Sequence, residues 1–470
     1  MEAKPEDKKE EQENKDKDNK ENKKEKKEKN GKKEKQNKDN KENKEVKKEK
    51  EAKKEKENKK EKQNEYKKDN KTKGKVEEES GNKIPETIFK VDESGALDYS
   101  KGLDLYNIKN IELNDENIKS AEIKGLDNIL NPLIEKKALC GGRNIEKIKN
   151  NKKIFLFYEL VFNDHTNLAL NEIFLLDIIK SLLKENPDLN LIIQIADDEF
   201  YYKGKFKFNQ VSKFAMEKLE NVLKYLTSDS TKYKIHVFSN TTFRLKDNNY
   251  ESLVSNLKMK ISFERVTKLF NITEDDPVSA IDYPVYIAMA SNPSIYTKYI
   301  PELTNEYTCL IINSIFNMYR YQLCYDAAQI CNFNEPILLA TKIISPLTGT
   351  NGYECNYNSQ DDVTLLSSDE EKNLRKKIMK HSLSGARGNG SMEDHKKLGG
   401  DVIKDISCQY LAFIEKDLNK FKENIEKFGK GELSCGEIKD IMFKCANDLF
   451  KIVREAKNVN VDDFLFIKDG

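Results

Sequence analysis

The chain of 470 residues has no tryptophan, only four histidines and only ten prolines. The histidines (His165, His236, His381 and His395) are too dispersed to announce a metal centre, and no metal site is expected. No apolar run reaches the length of about 18 residues that a membrane-spanning helix needs. The N-terminus lacks the apolar segment of a secretory signal. No two of the eight cysteines form a C-x-x-C pair, and none has a histidine at zinc spacing. They read as reduced thiols, so a cytoplasmic location is expected.

Charge, by contrast, is abundant: 35% of the residues are Asp, Glu, Lys or Arg. That is too much for one uniform globule. The excess is concentrated in residues 1–83, which are almost wholly Lys, Glu, Asn, Asp and Gln. Before Tyr66 the only apolar side chains are Met1, Ala3, Val46 and Ala52. Such a stretch cannot bury enough surface to offset its ordering entropy, and a disordered tail is expected. It carries 32 lysines against 25 acidic residues, while the rest of the chain is mildly acidic. A basic arm on an acidic body suits the collection of a polyanion. The alternative is a solvated terminus of biased composition.

Beyond the tail, Lys153–Phe162 is a short apolar run that predicts a buried strand. Asn163 and Asp164 can cap a following helix that ends before Pro187, and Leu189–Ala196 predicts a second strand. Strand, helix, strand in this span predicts a parallel βαβ unit. Residues 205–275 read as a helical insertion with one short strand near Lys234–Phe238, and Cys140–Arg143 reads as a turn. Tyr307–Ile315 and Pro336–Ile344 predict two more strands. From Glu370 to Ile452 the pattern is helical, broken by glycine-rich turns. The expected fold is α/β: a Rossmann-like parallel sheet with a helical insertion, followed by an all-helical C-terminal domain. The expected divisions are the tail 1–83, an N-terminal segment 84–150, a Rossmann-like domain 151–365 and a helical domain 366–470. A ligand belongs at the carboxyl ends of the strands, after Phe162, Ala196 and Ile315.

Three stretches carry a resemblance. Lys380–Phe413 reads KHSLSGARGNGSMEDHKKLGGDVIKDISCQYLAF, Ile193–Glu199 reads IQIADDE, and Gly95–Lys101 reads GALDYSK. Their fixed residue types resemble those of eukaryotic-type tryptophan–tRNA synthetases, which are class I aminoacyl-tRNA synthetases. Gly431–Lys439 adds a further match. The resemblance implies a Rossmann catalytic domain, an anticodon-binding C-terminal domain and a homodimer. It also implies a ligase that joins tryptophan to AMP from ATP, with Mg as counter-ion, and then loads tRNA. It assigns tryptophan contacts to Tyr158, Gln194 and Glu199. Asn317 stands where the family has a glutamine, and Ile287 replaces another polar contact.

The two ATP signatures depart from that pattern. The His-x-Gly-His motif aligns with Ala169, Leu170, Asn171 and Glu172, or, with a short deletion, leaves His165 as a single remnant for ATP. In the loop after Gly349, no Lys or Arg occurs before Lys372, so the lysine of the mobile Lys-Met-Ser-x-Ser loop is missing. The resemblance therefore supplies no catalytic residue at either motif. Two readings stay open. One is a divergent active ligase in which Lys203 or Lys205 compensates. The other is a pseudo-synthetase, kept as a tRNA- or partner-binding dimer, with itself or with an intact paralogue. The apolar cluster in residues 269–300 is the expected dimer face.

Overall fold

A computed structural model describes residues 88–161, 165–203, 208–230, 232–356 and 363–467. The charged tail, the capping pair Asn163 and Asp164, and Lys205 lie outside these residues. A small antiparallel pair, β1 (Lys90–Val91) and β2 (Leu97–Asp98), precedes a six-stranded sheet. The sheet contains β3 (Leu139–Arg143), β4 (Ile154–Leu160), β5 (Leu191–Ile195), β6 (Ile235–Ser239), β7 (Thr308–Ser314) and β8 (Ile337–Thr341). Their spatial order is β3-β8-β7-β4-β5-β6, parallel except for β3. The chain winds from β4 outward through β5 to β6, then returns to place β7 on the other side of β4. The gap between β4 and β7 is thus the topological switch point, where a doubly wound sheet leaves a crevice at its carboxyl edge.

The strand cores are continuous apolar runs because both sheet faces are covered. Along β4, Leu156, Tyr158 and Leu160 join one apolar cluster, while Phe155 and Phe157 join the other. The first cluster extends from the helix Leu170–Glu185 into the C-terminal helices. The second gathers residues of the long helical connection between β6 and β7. Because β6 sits in the sheet, residues 205–234 lie in the crossover from β5 to β6. The helical excursion is therefore the later one, with helices Asn240–Lys246, Asn248–Lys260, Phe263–Phe270 and Asp282–Met289.

Cys140–Arg143, expected as a turn, lies instead in strand β3. Its glycines serve close approach rather than reversal. Gly141 has φ +149°, and a Cβ there would stand 2.1 Å from the carbonyl oxygen of Lys109. The β3–β8 register shifts at this point, which marks a bulge. The apolar cluster expected on the surface is also inside: Tyr283, Val285, Tyr286, Ile287, Met289 and Tyr296 are buried within the chain itself.

The C-terminal signature turns out to be scaffolding. Asp405 caps the helix Ile406–Ile414 by accepting from the Cys408 N–H, and also accepts from the Gly385 N–H. Arg387 donates to the Leu398 carbonyl, and the His395 ring meets the Leu433 carbonyl at 2.6 Å. The Tyr410 hydroxyl donates to the Ser345 carbonyl at 2.8 Å, which ties this helix to the segment after β8. Phe413 packs edge-on against Phe174. Gly399 has φ +69°, and a Cβ there would lie 1.8 Å from the Gly429 carbonyl oxygen. A Cβ at Gly429 would meet only Val402, at 3.5 Å. Gly399→Ala should therefore lower the unfolding free energy by about 2–4 kcal/mol. Gly429→Ala should leave it within about 1 kcal/mol. Urea denaturation of the two variants separates them, and equal losses would refute this steric account.

Candidate functional site

Four chain segments converge at the switch point. Strand β4 brings Glu159, and β5 brings Gln194. The helix Asp197–Lys203 brings Asp198 and Glu199, and the 3-10 helix Ile315–Tyr321 after β7 brings Asn317 and Arg320. In the parallel register, Glu159 stands beside Gln194. Residues paired in this way project from the same sheet face.

Arg320 is the centre of the site. Its Nε donates to Glu159 Oε2 and its Nη1 to Glu199 Oε1, each at 2.9 Å. Its Nη2 bonds the second oxygen of both carboxylates. Each carboxylate thus takes a two-pronged hydrogen bond from one edge of the planar guanidinium. Arg320, Glu159 and Glu199 are each no more than 1% exposed. Burial alone would favour loss of the Arg320 proton, but the two carboxylates override it and hold the group charged.

Beside this triad runs a chain of polar contacts. Gln194 Nε2 donates to Asn240 Oδ1 at 2.7 Å and to the Tyr286 carbonyl at 3.1 Å. Asn240 Nδ2 donates to Asp198 Oδ1, which also accepts from the Glu199 N–H. Burial pushes Asp197 up to about 6 and Asp198, with Asp197 beside it, up to about 7. Gln194 Oε1 is buried with no donor among the described residues. An N–H from a ligand would relieve that deficit, which typically costs about 1–3 kcal/mol. Asn317 reaches the same face through Asn313, whose Oδ1 accepts from Asn317 Nδ2 at 3.1 Å.

The N-terminus of the helix Leu170–Glu185 forms the other wall. Ala169 is its N-cap and has no oxygen to offer, so Glu172 caps it from within the first turn, accepting the Ala169 N–H at 2.9 Å. Glu172 is also paired with Lys218 at 2.7 Å, and both are buried. Lys218 in turn donates to the Val161 carbonyl. From the loop after Gly349, Glu354 turns inward. It accepts from Asn171 Nδ2 at 3.0 Å and from the Ser314 hydroxyl. Burial pushes its carboxyl up to about 8.

This arrangement can be set beside known proteins. No family model matches the chain. The tryptophan–tRNA ligase of Saccharolobus solfataricus is 25% identical over 374 residues, covering 79% of this chain and 92% of that protein. The cytoplasmic tryptophan–tRNA ligase of Saccharomyces cerevisiae is 26% identical over 277 residues, covering 58% of this chain and 62% of the yeast protein. The curated relatives it matches are tryptophan–tRNA ligases, and the chain is similar to these class I synthetases. A solved tryptophanyl-tRNA synthetase homolog from Entamoeba histolytica shares the fold: TM-score 0.64 at 23% identity, covering 77% of this chain and 92% of that one.

The residues marked by the family pattern divide into two groups. Gln194, Glu199 and Asn317 gather on one face of the sheet, around Arg320. Tyr158 does not join them. It is register-paired with Ile193, and both sit in the cluster on the opposite face. Ile287 is fully buried in the helix next to Gln194's carbonyl partner Tyr286. His165 is half-buried in the loop leading to the helix. Lys203 ends the helix Asp197–Lys203, at the edge of the described residues. All eight cysteines are free, and five of them are buried.

Arg320 and Lys218 went unremarked in the sequence. The signal for Arg320 was an orphan carboxylate: Glu159 sits inside a run otherwise fit for a buried strand. Such a group demands a buried cation.

Glu354 gives the site a pH signature. Its carboxyl keeps its proton in the fold up to about pH 8 but releases it near 4.5 when unfolded. Between those values the folded form binds more protons, so stability falls as pH rises. This contribution is complete below about pH 4.5 and is lost through about pH 8. Asp197 and Asp198 act in the same direction over a narrower range. The unfolding free energy should drop by on the order of 2 kcal/mol between acid and alkaline conditions. Glu354→Gln should flatten that slope in paired denaturation series. An unchanged slope would remove Glu354 as its source.

Proposed function

We propose that this chain is a tryptophan–tRNA synthetase body whose ATP-dependent activation of tryptophan is weak or lost. It is retained for binding tRNA and protein partners. The observation that supports this reading most directly is the state of the helix N-terminus at Leu170. In the family this is where ATP phosphates are expected, since exposed N–H groups and the helix dipole attract anions. Here Glu172 takes that place and is neutralised by Lys218. The loop after Gly349 brings a second carboxyl, Glu354, instead of a cation. Neither group can stabilise charge on a departing pyrophosphate with its Mg counter-ion. Losing such contacts costs several kcal/mol of barrier.

Gln194 and Asn317 stand where the resemblance places the amino-acid contacts. His165 is the remaining candidate contact for ATP. In this reading the protein works in the cytoplasm, as a homodimer or paired with an intact copy. The family resemblance supports the dimer, since the apolar cluster at 269–300 is spent inside the chain. No described helix is long and apolar enough to cross a membrane.

Tryptophan-dependent ATP–pyrophosphate exchange by the purified chain should fall at least about 10³-fold below an ordinary rate of roughly 1–10 s⁻¹. Exchange within that range would end this reading and restore the active ligase.

The tail supplies the second test. Its lysine excess should give sequence-independent tRNA binding that weakens steeply with salt. Deleting residues 1–83 should lower affinity and flatten the salt dependence. An identical slope with and without the tail would assign it no part in tRNA capture.

A further inference from the structure

Building on the reading of Glu199 as the amino-acid contact, we propose that Arg320 is an internal plug. Its guanidinium occupies the cation-binding end of the pocket and closes it to free tryptophan. Every atom of the argument is local. Both oxygens of Glu199 are engaged by Arg320, at Nη1 and Nη2. A substrate ammonium or indole N–H approaching that carboxylate meets a donor already in place. The opposite edge of the guanidinium is filled by Glu159. That second carboxylate anchors Arg320 in the pocket rather than leaving it free to swing out.

Position adds to the case. Arg320 lies in the 3-10 helix directly after β7, at the switch point where a bound substrate belongs. Gln194 is consistent with closure, since its amide nitrogen is turned to Asn240 and the Tyr286 carbonyl. Its oxygen is buried and has no donor among the described residues. A ligand that displaced Arg320 to reach Glu199 would have to break four charge-assisted hydrogen bonds at once and leave Glu159 without its cation. That is a selection against tryptophan, not a small loss of affinity.

The chain's lack of tryptophan makes the test direct, because any indole emission comes from added ligand. Fluorescence anisotropy of L-tryptophan should show no saturable rise with the full-length wild-type protein, even at millimolar concentration. The double variant Glu159→Gln/Arg320→Met removes the plug and its anchor together, so no second orphan carboxylate is created. It should bind tryptophan at least about tenfold more tightly than wild type. Adding Glu199→Gln to that variant should abolish the gain. Saturable wild-type binding in the micromolar range would overturn the plug. A folded double variant with no gain would overturn it equally.

If the double variant fails to fold, the wild type itself decides. The Arg320 Nε–H should exchange slowly with solvent in nitrogen-15 spectra and stay unshifted on addition of tryptophan. A shift or faster exchange would show that tryptophan displaces it. The proposed function is judged separately. A plug that fails while tRNA binding persists and ATP–pyrophosphate exchange stays absent leaves that reading intact. A double variant that gains tryptophan, from a chain that binds no tRNA, leaves only the plug.

Discussion

The guanidinium of Arg320 between two buried carboxylates fixes how the carboxyl edge of the sheet is built. A buried ion pair gains little over an apolar core when intact. Its force is conditional: with Arg320 removed, two uncompensated carboxylates remain in low dielectric. Glu159 comes from β4, Glu199 from the helix after β5, and Arg320 from the 3-10 helix after β7. Three segments that an open crevice would leave independent are thereby held in one geometry. The neighbouring amide chain, Gln194 to Asn240 to Asp198, extends the same constraint toward β6.

The same logic recurs at the other wall. A helix N-terminus left open is an anion site, and a mobile loop opposite it is the means of closing over phosphate. Here the helix supplies its own anion in Glu172, and Lys218 balances it. The loop is fastened by Glu354 to Asn171 on that helix and to Ser314 at the end of β7. Because Glu354 keeps its proton near neutral pH, the fastening is a hydrogen bond between neutral groups rather than a charge. At both walls the buried charged and acidic groups are paired with this chain's own side chains.

How much of this was legible depended on the kind of constraint. The strands announced themselves, since β4, β5, β7 and β8 are apolar runs with no competing period. Cys140–Arg143 misled because glycine signals both turns and close approach, and only the Lys109 carbonyl beside Gly141 tells which. The cluster at 269–300 misled because apolar residues on a helix do not say whether they face their own core or a partner. At the site, the resemblance marked Gln194, Glu199 and Asn317, which lie at the carboxyl edge of the sheet. Tyr158 differs because one step along a strand changes the face, and the residues around it do not reveal which side a ligand uses. The triad was beyond reach from motifs: its members are separated by 40 residues and more, and no motif read in the sequence includes Arg320.

The C-terminal signature persisted while the ATP signatures did not, and the structure gives the physical reason. Gly385, Gly399, Asp405 and Tyr410 each meet a backbone atom at close range, so substitution there costs folding. A histidine or lysine that contacts only a ligand meets no such backbone constraint. Within the triad the energetics are unequal. Glu159 alone would be a lone buried carboxylate, which is costly. Arg320 with Glu199 alone already forms a neutral pair, and Glu159 fills a further edge of the guanidinium.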